Sequence, residues 1–359
     1  MAYMFLVLPA LSCATAISER QMSAQENTLQ KSRNEQEGDH RPLVLVHRLP
    51  TFSLLSSDSL LIHFRLLDPV ASAADEPLQE FLPRHGQSIR ALLCLGPTPL
   101  KADILDLLPS LQLVAACSAG VDHIDLAECH RRGIAVTNAG TAFSEDVADY
   151  AVALLLDVLR RVSAANRFVR SGLWPQKPDY PLGSKLWGKR VGIVGLGSIG
   201  SEVAKRLVAF DCRIAYNSRA KKPSSPYTYY DNVCDLAVNS DVLITCCALT
   251  SETRHIINKD VLTALGKEGI IINVGRGPLI DEKELVQYLV QGEIGGAGLD
   301  VFEKEPYVPT ELFELDNVVL SPHLAVLTPE SFEALHELVI ANLKAFFSNK
   351  PLLSPVRLD

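Results

Sequence analysis

The chain has eight cysteines, at 13, 94, 117, 129, 212, 234, 246 and 247, but no CxxC pair and no zinc-type spacing among them. That absence argues against a zinc ribbon and a thioredoxin-like redox centre. Several of these cysteines sit inside apolar runs, as in ALLCLG (91–96) and ITCCAL (244–249). There they read as small buried hydrophobes in a reducing compartment. A vicinal disulfide between Cys246 and Cys247 is disfavoured, because neighbouring side chains of a strand point to opposite faces. There is no excess of basic charge: the net charge is −8, which argues against a general nucleic-acid binder. There is no GxSxG nucleophile elbow and no metal motif, so a hydrolase reading fails and no metal is expected. No short fixed repeat is present, and no run is long and apolar enough to cross a bilayer. The apolar N-terminal stretch MAYMFLVLPALSCATAIS resembles a signal-peptide core with a small-residue site at Ala14-Thr15-Ala16, but it lacks the basic n-region.

The chain is too long, at 359 residues, for one ordinary core, and suggests two domains. Its 47% hydrophobic and 21% charged content fits a soluble globular protein. Residues 1–40 stand apart, apolar and then polar without periodicity, and read as a disordered or targeting extension. From Arg41 onward strand and helix signals alternate. LVLVH (43–47), ALLCLG (91–96) and LQLVAAC (111–117) are apolar runs of the kind found in buried parallel strands. SEDVADYAVALLLDVLRRVSAANRFVRSGLW (144–174) reads as one long helix, apolar around most of its circumference. Six further strands are expected at 190–197, 213–217, 241–249, 269–275, 296–302 and 317–323, which with crossovers make a doubly wound α/β sheet. The last segment, 329–349, is an amphipathic helix that belongs with the first block. The expected architecture is two Rossmann-like domains. A cofactor domain, 141–323, is inserted into a flavodoxin-like substrate domain, 41–140 with 324–359.

VGIVGLGSIGSEVAKRL contains Gly195-x-Gly197-x-x-Gly200 between a strand and a helix. The first glycine permits the tight turn, the second leaves room for a pyrophosphate, and the third lets helix and strand pack closely. N–H groups at the helix start, with Ser198 and Ile199, would hold the anion. About twenty residues on, where an NAD site usually shows an Asp or Glu, the chain has Asn217, Ser218, Arg219, Lys221 and Lys222. A carboxylate there would bond the ribose hydroxyls and repel a 2′-phosphate, whereas Ser218, Arg219 and Lys221 can bind one. The cofactor expected is therefore NADPH, with NADH as the weaker alternative.

Three later residues follow the carboxyl ends of expected strands, the edge where open α/β sheets bind ligands: Arg276 in NVGRGPLID, Glu305 in LDVFEKEP and His323 in SPHLA. Taken one at a time, each has an ordinary structural explanation. Together with SAGVDHIDL (118–126), VADYAVALLLDVLRR (147–161), GKRVGIVGLGSIG (188–200) and GGAGLDVFEKEP (295–306), they resemble the D-2-hydroxyacid dehydrogenase family, over roughly residues 41–359. The resemblance is strongest to plant glyoxylate/hydroxypyruvate and hydroxyphenylpyruvate reductases.

The resemblance implies reduction of a small 2-oxo acid: glyoxylate or hydroxypyruvate, then pyruvate or a phenylpyruvate. It makes Arg276 the anchor of the substrate carboxylate, His323 the general acid, and Glu305 the carboxylate that orients the ring and favours its charged form. Glu303 is a rival for that last role. Val274 and Asp300 would border the cofactor, with Asp300 at the nicotinamide end. Ala119 and Gly120 would offer backbone N–H groups to the substrate, with the loop at Gly96 nearby. A homodimer is implied as well. The C-terminal RLD is no peroxisomal address, so the cytosol is the default expectation, with organelle targeting left open by residues 1–40. The alternative is a nucleotide-sensing, corepressor-like protein with little turnover. Formate dehydrogenase, which shares the fold, is disfavoured by Glu305. Two departures bear on the pocket: Ala248 where relatives often have Pro, and Val326-Leu327 where small residues are common.

Overall fold

The computed structural model describes residues 39–52, 57–72 and 77–357. Of the expected N-terminal extension only Asp39 and His40 fall among them, and the final Leu358 and Asp359 lie outside. The chain divides into two compact units. The smaller contains the described residues up to Ser118, then His123–Asn138, then those from Val339 onward; the larger contains Ala119–Asp122 and Ala139–Leu338. The return to the smaller unit comes within the last helix, at Val339, and not at 324. The first turn of that helix is tied into the larger unit, because Thr328 Oγ1 donates to Asp146 and also accepts the Ser331 N–H (3.0 Å).

The strands of the smaller unit are β1 (Leu43–His47), β2 (Arg65–Leu67), β3 (Ala91–Cys94), β4 (Leu113–Ala116) and β5 (Ala135–Thr137). They form one parallel sheet in the order β2-β1-β3-β4-β5, which is the flavodoxin-like order. Every residue of β3 and β4 is buried, as continuous apolar runs require when both faces are covered. The last helix, Pro329–Phe347, brings Phe347 against Phe64 and Phe346 beneath the Arg90 guanidinium. Beyond it the Val356 N–H bonds to Val136 O of β5 at 2.8 Å.

The larger unit holds β6 (Arg190–Val194), β7 (Arg213–Asn217), β8 (Thr228–Tyr230), β9 (Val242–Thr245), β10 (Ile270–Asn273), β11 (Gly296–Leu299) and β12 (Val318–Leu320). The sheet is parallel throughout, ordered β12-β11-β10-β9-β6-β7-β8. It has seven strands and not six; the addition is β8, a short edge strand without an apolar run. The order reverses between β6 and β9, and the crevice at such a switch point is where open sheets of this Rossmann type bind ligands.

The expected helix over 144–174 is two helices, Ser144–Arg160 and Val162–Arg170. Arg161 between them is left-handed (φ 56°), and the Asp157 carboxylate caps the second helix by accepting the Ser163 N–H at 2.7 Å. The first helix spends its apolar side inside its own unit, burying Val147, Ala151, Leu154, Leu155, Val158 and Leu159 as it packs on β10, β11 and β12. Among the described residues no helix is long and apolar enough to cross a membrane.

Candidate active site

The glycine loop follows β6 directly. Gly195 has φ +100°, and a Cβ there would stand 2.5 Å from the Cys247 backbone nitrogen, so only glycine fits this turn. Nothing lies within 4 Å of where a Gly197 Cβ would be, which leaves the open cradle a pyrophosphate needs. Gly200 is buried beneath the loop, where a Cβ would meet Gly195 O at 2.2 Å. Gly197 is the N-cap of the helix Ser198–Val208 and no side chain caps it. The first N–H groups of a helix have no partner within it, so Ser198 and Ile199 open an anion site. The donor set fits a nucleotide.

At the end of β7 the basic turn is built and not merely exposed. Tyr216 is completely buried, and its hydroxyl accepts the Lys222 N–H at 2.8 Å. Tyr229 packs tilted against Tyr216, at 5.4 Å between ring centroids and 55° between planes, and donates to Ser218 O. Asn217 points its amide back to Tyr230 O and Asp231 O (3.0 and 3.2 Å), so the strand ends on a fixed corner. Arg219 and Lys221 are exposed, and the stretch Asn217–Ser225 holds no carboxylate. A 2′-phosphate suits this corner better than bare ribose hydroxyls.

Across the switch point, Val274 is buried at the end of β10. The nearby turn at Ala248 is tied by side chains: Thr253 Oγ1 donates to Ala248 O (2.7 Å), and Thr250 and Thr253 bond to each other. Arg276 follows β10. Its Nε donates to Asp122 Oδ1 at 3.1 Å and its Nη1 to Gly275 O at 3.0 Å. Ala119, Gly120 and Asp122 group with the larger unit, and a Cβ on Gly120 would stand 2.3 Å from Arg276 Nη2. Gly277 lets this segment press against the turn after β11: a Cβ there would overlap the Phe302 carbonyl carbon at 1.9 Å. Gly96, left-handed and close against the Phe52 ring, belongs to the smaller unit.

Glu305 lies in that turn. Its Oε2 bonds His323 Nδ1 at 2.9 Å, and its Oε1 accepts the Phe302 N–H at 3.2 Å. Burial pushes the Glu305 carboxyl up, but the His323 hydrogen bond and charge, the Phe302 N–H and the Arg276 charge outweigh it. The net direction is down. Glu303, the rival, pairs with a different histidine, His255 Nε2, at 2.6 Å. His323 is a left-handed residue (φ 57°) in the loop after β12, and its N–H bonds Asp300 O at 2.8 Å. Asp300, 1% exposed, accepts from Ser321 Oγ (2.6 Å) and Leu324 N (2.8 Å) on Oδ1 and from Ala325 N (3.0 Å) on Oδ2. Its carboxyl is raised by burial, against the pull of those donors.

The chain is 59% identical to a glyoxylate/hydroxypyruvate reductase of Arabidopsis thaliana over 323 residues, 90% of this chain and 99% of the relative. It belongs to the D-2-hydroxyacid dehydrogenases. Residues 152–325 of this dehydrogenase match the family model for the D-isomer specific 2-hydroxyacid dehydrogenase, NAD binding domain. It is 51% identical to a hydroxyphenylpyruvate reductase of Plectranthus scutellarioides, over 78% of this chain and 90% of the relative. Among solved structures it is similar to an NADPH-dependent glyoxylate/hydroxypyruvate reductase of Sinorhizobium meliloti in complex with NADP and malonate. That match has TM-score 0.80 and 38% identity, and it covers 89% of this chain and 97% of the other.

Sequence reasoning missed several residues of this dehydrogenase that hold its candidate site. Asp122 lies in SAGVDHIDL, Tyr150, whose Oη is 2.6 Å from Ser321 Oγ, in VADYAVALLLDVLRR, and Tyr216 in RIAYN, each inside a stretch already singled out. Their partners are distant in sequence or are backbone atoms, so no local pattern marked them.

Proposed function

We propose that the protein reduces small 2-oxo acids to 2-hydroxy acids, with NADPH as reductant. The observation that carries this reading is the His323–Glu305 pair beside Arg276, at the carboxyl edge of the sheet whose β6 opens into an uncapped glycine-loop helix. Bound NADPH supplies the hydride. Gly195, Gly197, Ser198, Ile199 and Gly200 are assigned to its pyrophosphate, Ser218, Arg219 and Lys221 to the 2′-phosphate, and Val274 and Asp300 to the nicotinamide end.

The chain's own groups do the rest. Asp122 and Gly275 O engage Arg276 through Nε and Nη1. That leaves Nη2 for the substrate carboxylate, with the backbone of Ala119 and Gly120 beside it. Hydride reaching a ketone carbon leaves negative charge on oxygen. Glu305 occupies His323 Nδ1, so His323 gives its Nε2 proton to that oxygen, and the Arg276 charge steadies it before the proton arrives. The relatives' names make glyoxylate and hydroxypyruvate the first substrates to try, then a hydroxyphenylpyruvate. They do not favour the nucleotide-sensing alternative.

The same reading makes the protein a cytosolic homodimer. The seven described cysteines are free thiols, which suits a reducing compartment. Val162, Val169, Trp174, Leu182 and Trp187 are exposed along one stretch, an apolar surface that suits a second copy. Light scattering on the eluting protein should give twice the chain mass; a monomer at micromolar concentration rejects the dimer. The test of function is oxidation of NADPH and of NADH by purified protein, each with glyoxylate and with hydroxypyruvate. Turnover is expected with kcat/KM clearly higher for NADPH. Tight nucleotide binding without turnover would favour the sensor.

A further inference from the structure

We propose that Asp146 and Tyr150 are positioning residues for His323. The inference rests on the reading of His323 as proton donor. The two lie one turn apart on the helix Ser144–Arg160, at i and i+4, and so share a face. Tyr150 Oη lies 2.6 Å from Ser321 Oγ, two residues before His323. Ser321 spends its one hydrogen on Asp300 Oδ1, so Tyr150 donates to Ser321. Asp146 accepts from Thr328 Oγ1, five residues after His323. Thr328 in turn accepts the Ser331 N–H and so caps the last helix. One helix face therefore holds the loop 321–328 at both ends.

The His323 side chain is 37% exposed, and its one ion-pair partner among the described residues is Glu305. Glu305 holds the ring at Nδ1, and the backbone that carries it is constrained in the left-handed region, uncommon for residues other than glycine though less so for histidine. The constraint is the set of bonds around Asp300: the His323 N–H on its carbonyl, and Ser321 Oγ, Leu324 N and Ala325 N on its carboxylate. Tyr150 orients Ser321 within that set. A general acid must stand within hydrogen-bond reach of the atom it protonates, and a misplacement of about 1 Å costs on the order of 100-fold. Loosening either end of the loop should therefore slow proton delivery while leaving the glycine loop and basic turn untouched.

Tyr150→Phe removes one hydroxyl. Thr328→Val removes the other anchor and is cleaner than changing Asp146, which also sits in the first turn of its helix, where a negative charge is favourable in itself. The measurements are kcat with glyoxylate, the NADPH dissociation constant, the solvent deuterium isotope effect on kcat, and the melting temperature. In both variants kcat should fall about tenfold, the change expected from losing one hydrogen bond's worth of alignment. The isotope effect should rise, and NADPH affinity should stay within about twofold. Thr328→Ser should restore kcat. Adding Tyr150→Phe to His323→Asn should cost nothing further. Unchanged kcat and isotope effect in folded Tyr150→Phe and Thr328→Val would overturn the proposal. So would a loss that tracks melting temperature with no isotope effect. If His323→Asn itself keeps full turnover, the proton-donor reading fails first; if it is inactive while Tyr150→Phe is normal, only the positioning role fails.

Discussion

His323 keeps φ at 57°, a conformation that costs an ordinary residue about 1–2 kcal/mol. Asparagine tolerates it well, so His323→Asn deletes the ring with the backbone kept, where alanine would change both. Its partner Glu305 carries the pH dependence. The folded Glu305 carboxyl lies below its usual value despite burial, because His323, the Phe302 N–H and Arg276 favour the anion. A depressed carboxylate contributes stability above its unfolded value and loses it as pH falls through the folded one. Melting temperature should therefore drop on acidification through the carboxylate range more steeply in the wild type than in Glu305→Gln; parallel curves would remove Glu305 from the ledger. At the other end of the site, Arg219→Ala should lower kcat/KM for NADPH by about 10- to 100-fold, the worth of a charge-assisted bond, and leave NADH nearly unchanged. Steady-state rates with the two nucleotides decide it, and equal losses with both would mean the arginine meets no 2′-phosphate. Arg276, Glu305 and His323 could be singled out because chain order and neighbouring motifs named them. Asp122 and Tyr150 were not, because a carboxylate or phenol on a helix or loop looks the same whether it faces water or a distant arginine or serine.

Among the elements, apolar runs marked the central strands well. β3, β4, β9 and β10 are buried from end to end; β3 and β4 are wholly apolar, and β9 and β10 are apolar up to a buried Thr245 and Asn273 at their last positions. β2, β5 and β8 escaped notice: each is three residues long and stands at a sheet edge, and β2 and β8 have no fully buried residue. A half-covered strand of that length leaves no periodic signal. The break after Arg160 was hidden for a different reason. Helical spacing continues through it, and what ends the first helix is a left-handed Arg161 with Asp157 capping the next. Asp157→Ala should cost about 1 kcal/mol, the usual worth of an N-cap, seen as a lower denaturant midpoint with unchanged slope. A variant as stable as the wild type would mean the two helices hold their angle by packing alone.

On the scale of the whole molecule, both sheets were foreseeable as parallel, since strands and helices alternate and each pairing needs a crossover. The point where the chain rejoins its first unit was not, because Val339 lies inside a continuous helix with no change of composition to mark it. The smaller unit is thus made from both ends of the chain. Its last pieces are the helix from Val339 and the strap that sets Val356 against β5. This has a consequence for synthesis. Domains generally fold as units during translation. Every residue of the larger unit has been made once Leu338 is added, while the strands made first still lack the segment that closes them. Nascent chains stalled shortly after Leu338 has left the ribosome should resist protease across β6–β12 and be cut within β1–β5; equal protection of both would contradict this order. The unit whose strands are translated before the larger one is thus completed after it, once the segment beyond Leu338 has emerged.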